Sequence, residues 1–163
     1  MTTRILVLAD THVTRGGSRR LPDRTYELLE QVDAVWHAGD VVVPELLDEL
    51  SGFAPVTAVL GNNDHELVGT LPERVEEQVE DVRLAMVHDS GTTKGRENRM
   101  RRWFPDADVV IFGHSHQPVD AEGTDGQRLL NPGSATWKRR APTHTCAVLT
   151  IDGDRVSTEL VDL

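Results

Sequence analysis

Strands and helices that alternate through the first half of the chain, followed by turn-punctuated strands, predict an α/β protein: two packed mixed β-sheets flanked by helices. The run Ile5-Leu6-Val7-Leu8-Ala9 is too continuously apolar for a strand with one wet face, so 4–9 reads as buried on both. An amphipathic helix follows from Leu21 to Val32, opened by Pro22, whose fixed φ and missing N–H suit a first helical turn. Ala34 to His37 is a second short strand, Val43 to Leu50 a helix with Pro44 near its start and Gly52 as its stop, and Val56 to Leu60 a third strand. A β-α-β-α-β opening of this kind implies right-handed crossovers and parallel neighbours.

After Pro72 the texture changes. Val75 to Val79 and Val82 to Val87 read as paired strands, Lys94 to Trp103 as a basic amphipathic helix, and 108–112 as another buried strand. The last third alternates apolar and polar residues around Gly123, Asp125-Gly126 and Asp152-Gly153, the pattern of antiparallel strands. With 163 residues and no repeat, low-complexity tract or linker, residues 1–163 read as a single domain.

The residues just beyond each apolar strand form the informative regularity. The first strand leads into Asp10 and His12, the second into Asp40, the third into Asn62, the strand at 82–87 into His88, and the strand at 108–112 into His114 and His116. The C-terminal ends of strands are where open α/β sheets build their sites. All these residues offer oxygen or nitrogen donors suited to Mn, Fe, Zn or Ni, with no soft sulfur ligand among them. Singly, each has a plainer reading: a turn with a helix cap for Asp10-Thr11-His12, tight turns for Gly39-Asp40 and Gly61-Asn62-Asn63-Asp64, an ordinary histidine for His88. Together they exceed what one tetrahedral zinc takes. Two metals sharing one carboxylate account for them better.

Composition narrows the alternatives. A net charge of −10 argues against general binding to a nucleic-acid backbone, which demands a basic surface. No apolar run approaches the ~20 residues of a membrane span, and no signal-peptide pattern precedes the first strand. Cys146 stands alone and reads as a core residue, which leaves no disulfide framework; a cytoplasmic location is expected by default.

The motifs Asp10-x-His12, Gly39-Asp40, Gly61-Asn62-x-Asp64, His88 and Gly113-His114-x-His116 resemble, in order, the five motifs of calcineurin-like metallophosphoesterases. Asn131-Pro132-Gly133-Ser134 resembles a segment of that superfamily's small single-domain prokaryotic phosphodiesterase branch. The resemblance runs from residue 5 to about 135. It implies a four-layer α/β/β/α sandwich in one metallophosphoesterase domain, with a dinuclear metal site on loops at one edge. By the same resemblance, Asp10, His12 and His116 hold the first metal, Asn62, His88 and His114 the second, and Asp40 bridges them; Asp40, Asn62 and His88 are the catalytic set. The implied cofactor is two divalent metal ions, Mn foremost, with Ni, Fe, Zn, Co or Mg as alternatives. A bridging hydroxide made available near neutral pH would attack the phosphate ester. The implied activity is that of a phosphoesterase, a phosphodiesterase in preference to a monoesterase. A non-catalytic binding scaffold of the same fold and a metal-dependent nuclease are the alternatives.

Two positions depart from the family pattern. Many relatives carry a histidine, a candidate general acid, where this chain has Asn63, and a second histidine in the fourth motif where it has Ser90. His65 is then the first substitute acid, with a plain surface role as its alternative. Asp64 is expected to orient site groups, His37 to lie in the core or behind a ligand, and Asn131 to support the site loops. Arginines gather at Arg15, Arg19 and Arg20 and again at Arg96, Arg99, Arg101 and Arg102; Arg99 is a candidate substrate residue, and a solvated surface is the competing reading. The expected partner is a small phosphoester in preference to a nucleic acid, with no membrane. A homo-oligomer stays open, since Trp36, Trp103 and Trp137 are candidates for core or interface alike.

Overall fold

Two five-stranded sheets pack face to face in a computed structural model that describes residues 1–163. The first is ordered β10-β9-β1-β2-β3 and the second β4-β5-β6-β8-β7. In chain order the strands are β1 (Thr2–Leu8), β2 (Ala34–His37), β3 (Val56–Ala58), β4 (Arg74–Val79), β5 (Val82–Val87), β6 (Val109–Ile111), β7 (Val119–Glu122), β8 (Arg128–Asn131), β9 (Thr145–Asp152) and β10 (Arg155–Asp162). The helices are α1 (Asp23–Leu29), α2 (Pro44–Ser51) and α3 (Arg96–Trp103).

Strand alternation builds the layers. Ile5, Val7 and Ala9 face the inter-sheet core with Trp36, Leu84, Met86, Ile111 and Leu130. Leu6 and Leu8, one residue out of phase, face the other way onto Leu28, Leu29, Leu46 and Leu50 of α1 and α2. On the second sheet Ala85, Val110 and Phe112 point outward onto Met100 and Phe104 of α3 and its end. A strand covered on both faces must be apolar at every position, which is why its run in the sequence is unbroken. The result is the expected α/β/β/α sandwich.

Several boundaries differ from the sequence reading. The first helix is shorter, since Pro22 sits outside it as the N-cap and the chain turns after Leu29. β3 ends at Ala58, because Val59 and Leu60 already bond irregularly to His37 and Pro72. α3 begins at Arg96, after a left-handed Gly95. The last third is not purely antiparallel: β7 with β8 and β9 with β10 are, but β8 also pairs parallel with β6. The chain then crosses to the first sheet, where β9 lies antiparallel to β1. Trp36 is core, whereas Trp103 and Trp137 are half-buried. Cys146 is buried in the helix-side layer of the first sheet, and burial pushes its thiol up to about 12, as suits an inert core residue. No helix is long and apolar enough to cross a membrane.

The topology positions the site. β1, β2 and β3 run parallel in one sheet, and β5, β6 and β8 run parallel in the other. Their C-terminal ends meet at one edge, where His88, after β5 of the second sheet, bonds the carbonyl of Ala38, after β2 of the first (2.7 Å).

Candidate metal centre

The backbone leaves each strand sharply. Asp10, His12, Asp40, His114 and His116 all adopt left-handed φ, between 45° and 72°. Asp and His tolerate that region better than most residues, yet such clustering marks a site over-determined by its surroundings. Tight approach requires glycine beside it. A Cβ on Gly61 would lie 2.2 Å from the Asp40 nitrogen and 2.3 Å from its Oδ1, contacts that no flexible side chain could relieve.

Two groups of donors result, with Asp40 between them. In the first, His116 Nε2 lies 3.8 Å from Asp10 Oδ1, and the His12 and His116 rings are 5.1 Å apart. In the second, Asn62 Oδ1 lies 3.0 Å from His88 Nε2 and 3.2 Å from His114 Nδ1. Asp40 Oδ2 is 3.3 Å from His12 Nε2 and 3.4 Å from His88 Nε2. The one-residue spacing of His114 and His116 is thereby divided: His116 is wholly buried with the first group, and the side chain of His114 is 45% exposed beside the second. Asp10 also reaches toward the second group, with Oδ1 3.9 Å from His88 Nε2.

The polar accounting fits cations. Both Asp10 carboxylate oxygens, His12 Nε2 and His116 Nε2 are buried with no hydrogen-bond partner. Groups of that kind are costly to orphan, roughly 1–3 kcal/mol for a neutral donor or acceptor and more for a charge. A divalent ion facing all of them would remove the penalty. The histidines are set for it: His88 donates through Nδ1 to the Ala38 carbonyl (2.7 Å) and His116 through Nδ1 to the Trp137 carbonyl (2.6 Å), so each turns Nε2 inward.

Electrostatics separates the two carboxylates. Burial pushes Asp10 up to about 7, helped by its neighbour Asp40. Burial also works against ionisation of Asp40, but the nearby His12 and His88 imidazoles outweigh it and hold that carboxyl far below the usual range. Burial opposes charge on His88 too, yet Asp40 and Asp10 raise it. His116 is lowered to about 4 by burial.

A second tier holds these groups. Asp64, buried, accepts from the backbone N–H groups of Asp40 (2.9 Å), Gly61 (2.7 Å) and Val42 (2.7 Å), tying two loops together. Asn63 grips Asp40 with its backbone N–H on Oδ1 and its amide on Oδ2, both 2.9 Å. His37 lies beneath the turn: Nδ1 accepts from Gly39 N–H (3.1 Å) and Nε2 donates to Thr11 Oγ1 (3.0 Å), while complete burial lowers it to about 3. Asn131 bonds Gly113 and Ser115, and Ser134 donates to the Asp10 carbonyl (2.8 Å).

Other candidates sit elsewhere. His65 is exposed on the short turn His65–Leu67. Arg99 staples the loop after His88, donating to the carbonyls of Ser90 (2.7 Å) and Thr92. Arg15 is paired with Glu45 and Glu66. Sequence reasoning left Trp137 undecided and missed Ala38, whose carbonyl shares its task; a main-chain acceptor has no residue-type signal. Asp89, 3.9 Å from His114 Nε2, was missed although it directly follows a ligand candidate.

A two-sheet sandwich whose strand ends gather histidines and carboxylates at one edge places this chain among α/β proteins with a candidate metal centre. The chain belongs to the calcineurin-like phosphoesterase superfamily, whose domain matches residues 3–154. A protein of Methanothermobacter thermautotrophicus described as a probable metallophosphoesterase is 34% identical over 157 residues, 95% of this chain and 90% of its own length. A Thermotoga maritima protein solved by solution NMR is 33% identical, with a TM-score of 0.75 over 99% of both chains. Vacuolar Protein Sorting 29 from Cryptosporidium parvum superposes with a TM-score of 0.84 over 99% of this chain and 92% of its own, at 25% identity.

Proposed function

We propose that residues 1–163 form one metallophosphoesterase domain that hydrolyses small phosphoesters, diesters in preference to monoesters, at a dinuclear metal centre. The carrying observation is the set of orphaned, buried donor atoms on Asp10, His12 and His116 facing the shared Asp40. In this reading Asp10, His12 and His116 hold one ion, Asn62, His88 and His114 the other, and Asp40 both. Two bound divalent ions would lower the pKa of a shared water and offset charge that develops on the phosphate oxygens. The chain's own part is positioning. Ala38 and Trp137 aim the histidines, Asn63 keeps Asp40 in register, and Asp64 holds the two loops at a fixed separation. Manganese is the metal foremost in what the family resemblance implies, and the oxygen and nitrogen donors admit it along with Fe, Zn and Ni.

A panel of phosphoesters run with Mn, Ni, Co, Zn and Mg tests the proposal: metal-dependent turnover of a nitrophenyl phosphodiester is the expected result. The likeness to Vacuolar Protein Sorting 29 carries the second reading, a binding scaffold without turnover. Metal binding with no hydrolysis of any ester in the panel would select it.

Asn63 cannot donate a proton as a histidine would, and its backbone N–H and side-chain amide are both engaged on Asp40. Nitrophenyl diesters, whose leaving groups need no protonation, are therefore expected to react at least ~100-fold faster than alkyl diesters. Comparable rates would show that another acid serves.

Metal binding should also depend on pH through Asp10. Raised from 3.8 to about 7, this carboxyl takes up a proton on folding, so its contribution to metal-free stability is present at low pH and lost as pH rises through about 7. The ion needs the carboxylate and must displace that proton, and His88, also raised, adds to the release. The gain in Tm on adding Mn should grow between about pH 5.5 and about pH 7.5, with affinity improving up to about tenfold per unit. Calorimetry showing a gain independent of pH would refute the linkage.

A further inference from the structure

A cavity of about 350 Å³ opens directly beside Asn62 and His88. Val87 and Trp103 give it an apolar wall, and Glu73, Arg74 and Asp89 a charged rim. The Arg74 guanidinium carbon lies 4.4 Å from the centroid of the Trp103 ring, and the two side chains form a shelf at the cavity. Nothing in the metal-centre chemistry uses this shelf.

From this geometry we propose that the cavity is the subsite for the organic group of the phosphoester, and that Arg74, Trp103 and Glu73 select a planar, hydrogen-bonding group of the nucleobase class. The inference rests on the phosphoesterase reading and deepens it. Volume permits it: a base is far smaller than the cavity, so base and sugar both have room. Charge decides against the alternatives. Two carboxylates against one guanidinium repel a second phosphate or a carboxylate on the substrate. They also offer acceptors to exocyclic amino and ring N–H groups. A flexible alkyl chain would gain from the apolar wall but make no use of the rim's hydrogen-bonding groups, whereas a base stacks on guanidinium planes as well as on indole. The position beside the Asn62–His88 group means that a phosphate seated at the centre would deliver its substituent here without crossing solvent.

The test compares two ligands with the same phosphate. Dissociation constants of adenosine 5′-monophosphate and ribose 5-phosphate are measured calorimetrically on the Mn-loaded protein, for wild type, Arg74→Gln and Trp103→Leu. Wild type is expected to prefer the nucleotide by at least about tenfold, and each variant to reduce that preference to within about threefold. Ribose 5-phosphate affinity should stay unchanged throughout. Arg74 is exposed, so its variant reports even if loss of Trp103 perturbs the packing of α3. Equal affinity of wild type for both ligands, no measurable binding of the nucleotide, or a preference that survives in Arg74→Gln would each overturn the subsite. Failure of the phosphoesterase reading looks different: the base preference persists, yet no ester in the metal panel turns over.

Discussion

Asp40→Ala should abolish hydrolysis and metal loading together. Its Oδ2 lies between His12 Nε2 at 3.3 Å and His88 Nε2 at 3.4 Å, so this one carboxylate oxygen is within reach of both donor groups. In the proposed centre this carboxylate would serve both ions, so removing it would leave two incomplete sites rather than one weakened one. A loss of at least ~10³-fold in kcat/KM is expected, with bound Mn falling from about two ions to fewer than about one by elemental analysis. Asp40→Asn keeps the side chain's shape and an acceptor for Asn63 N–H while discarding the charge; the same loss is expected there, which separates charge from packing. Either variant retaining both ions and turnover would sink the ligand assignment.

Asp64→Ala should cost more in stability than any single ligand replacement. Its two oxygens accept three main-chain N–H bonds, from Asp40, Gly61 and Val42. Alanine would strand those donors where the carboxylate is now buried, at roughly 1–3 kcal/mol each before water enters. Val42 adds strain, because a β-branched residue at φ 79° is held there partly by its bond to Asp64. A drop of about 3–5 kcal/mol in unfolding free energy is expected, or about 10 °C in Tm for a chain of this size, together with weaker metal binding. Asp64→Asn, which keeps one oxygen acceptor, should fall between. Denaturant unfolding of the metal-free proteins checks this, and a cost below about 1 kcal/mol for alanine would mean that the loops are held by something else.

Much of the fold was legible because burial on both faces writes itself into the chain. β1 and β6 are read directly from their unbroken apolar runs, and the polar residues just beyond them are conspicuous against that background. Boundaries were less legible. The first helix looked longer than α1 because Val32 continues the apolar spacing, and only packing shows that the chain has already turned. β8 looked like a hairpin partner and is one, yet it also pairs parallel with β6, a long-range bond that no local pattern encodes.

The site shows the same division. Residue type and order named Asp10, His12, Asp40, Asn62, His88, His114 and His116, since hard donors after buried strands are chemically unusual. Support from main-chain carbonyls was invisible: Ala38 and Trp137 act through groups that every residue carries. Arginine contacts were illegible for a related reason. Charge is legible in a sequence, but whether a guanidinium faces solvent, a carboxylate or a loop carbonyl depends on neighbours far along the chain, as with Arg15 and Arg99.

By itself, then, the sequence determined the layer architecture, through the period-two burial of its strands, and the donor chemistry of the metal centre, through residue types placed at strand ends. Only the tertiary structure decided how near those donors come to one another and which of them are buried. The left-handed turns at His114 and His116 send one imidazole inward and the other toward solvent, and the meeting of two separate sheets brings Asp40 between both groups. That arrangement is a matter of ångström distances between residues dozens of positions apart, and such distances exist only once the hydrophobic layers have closed.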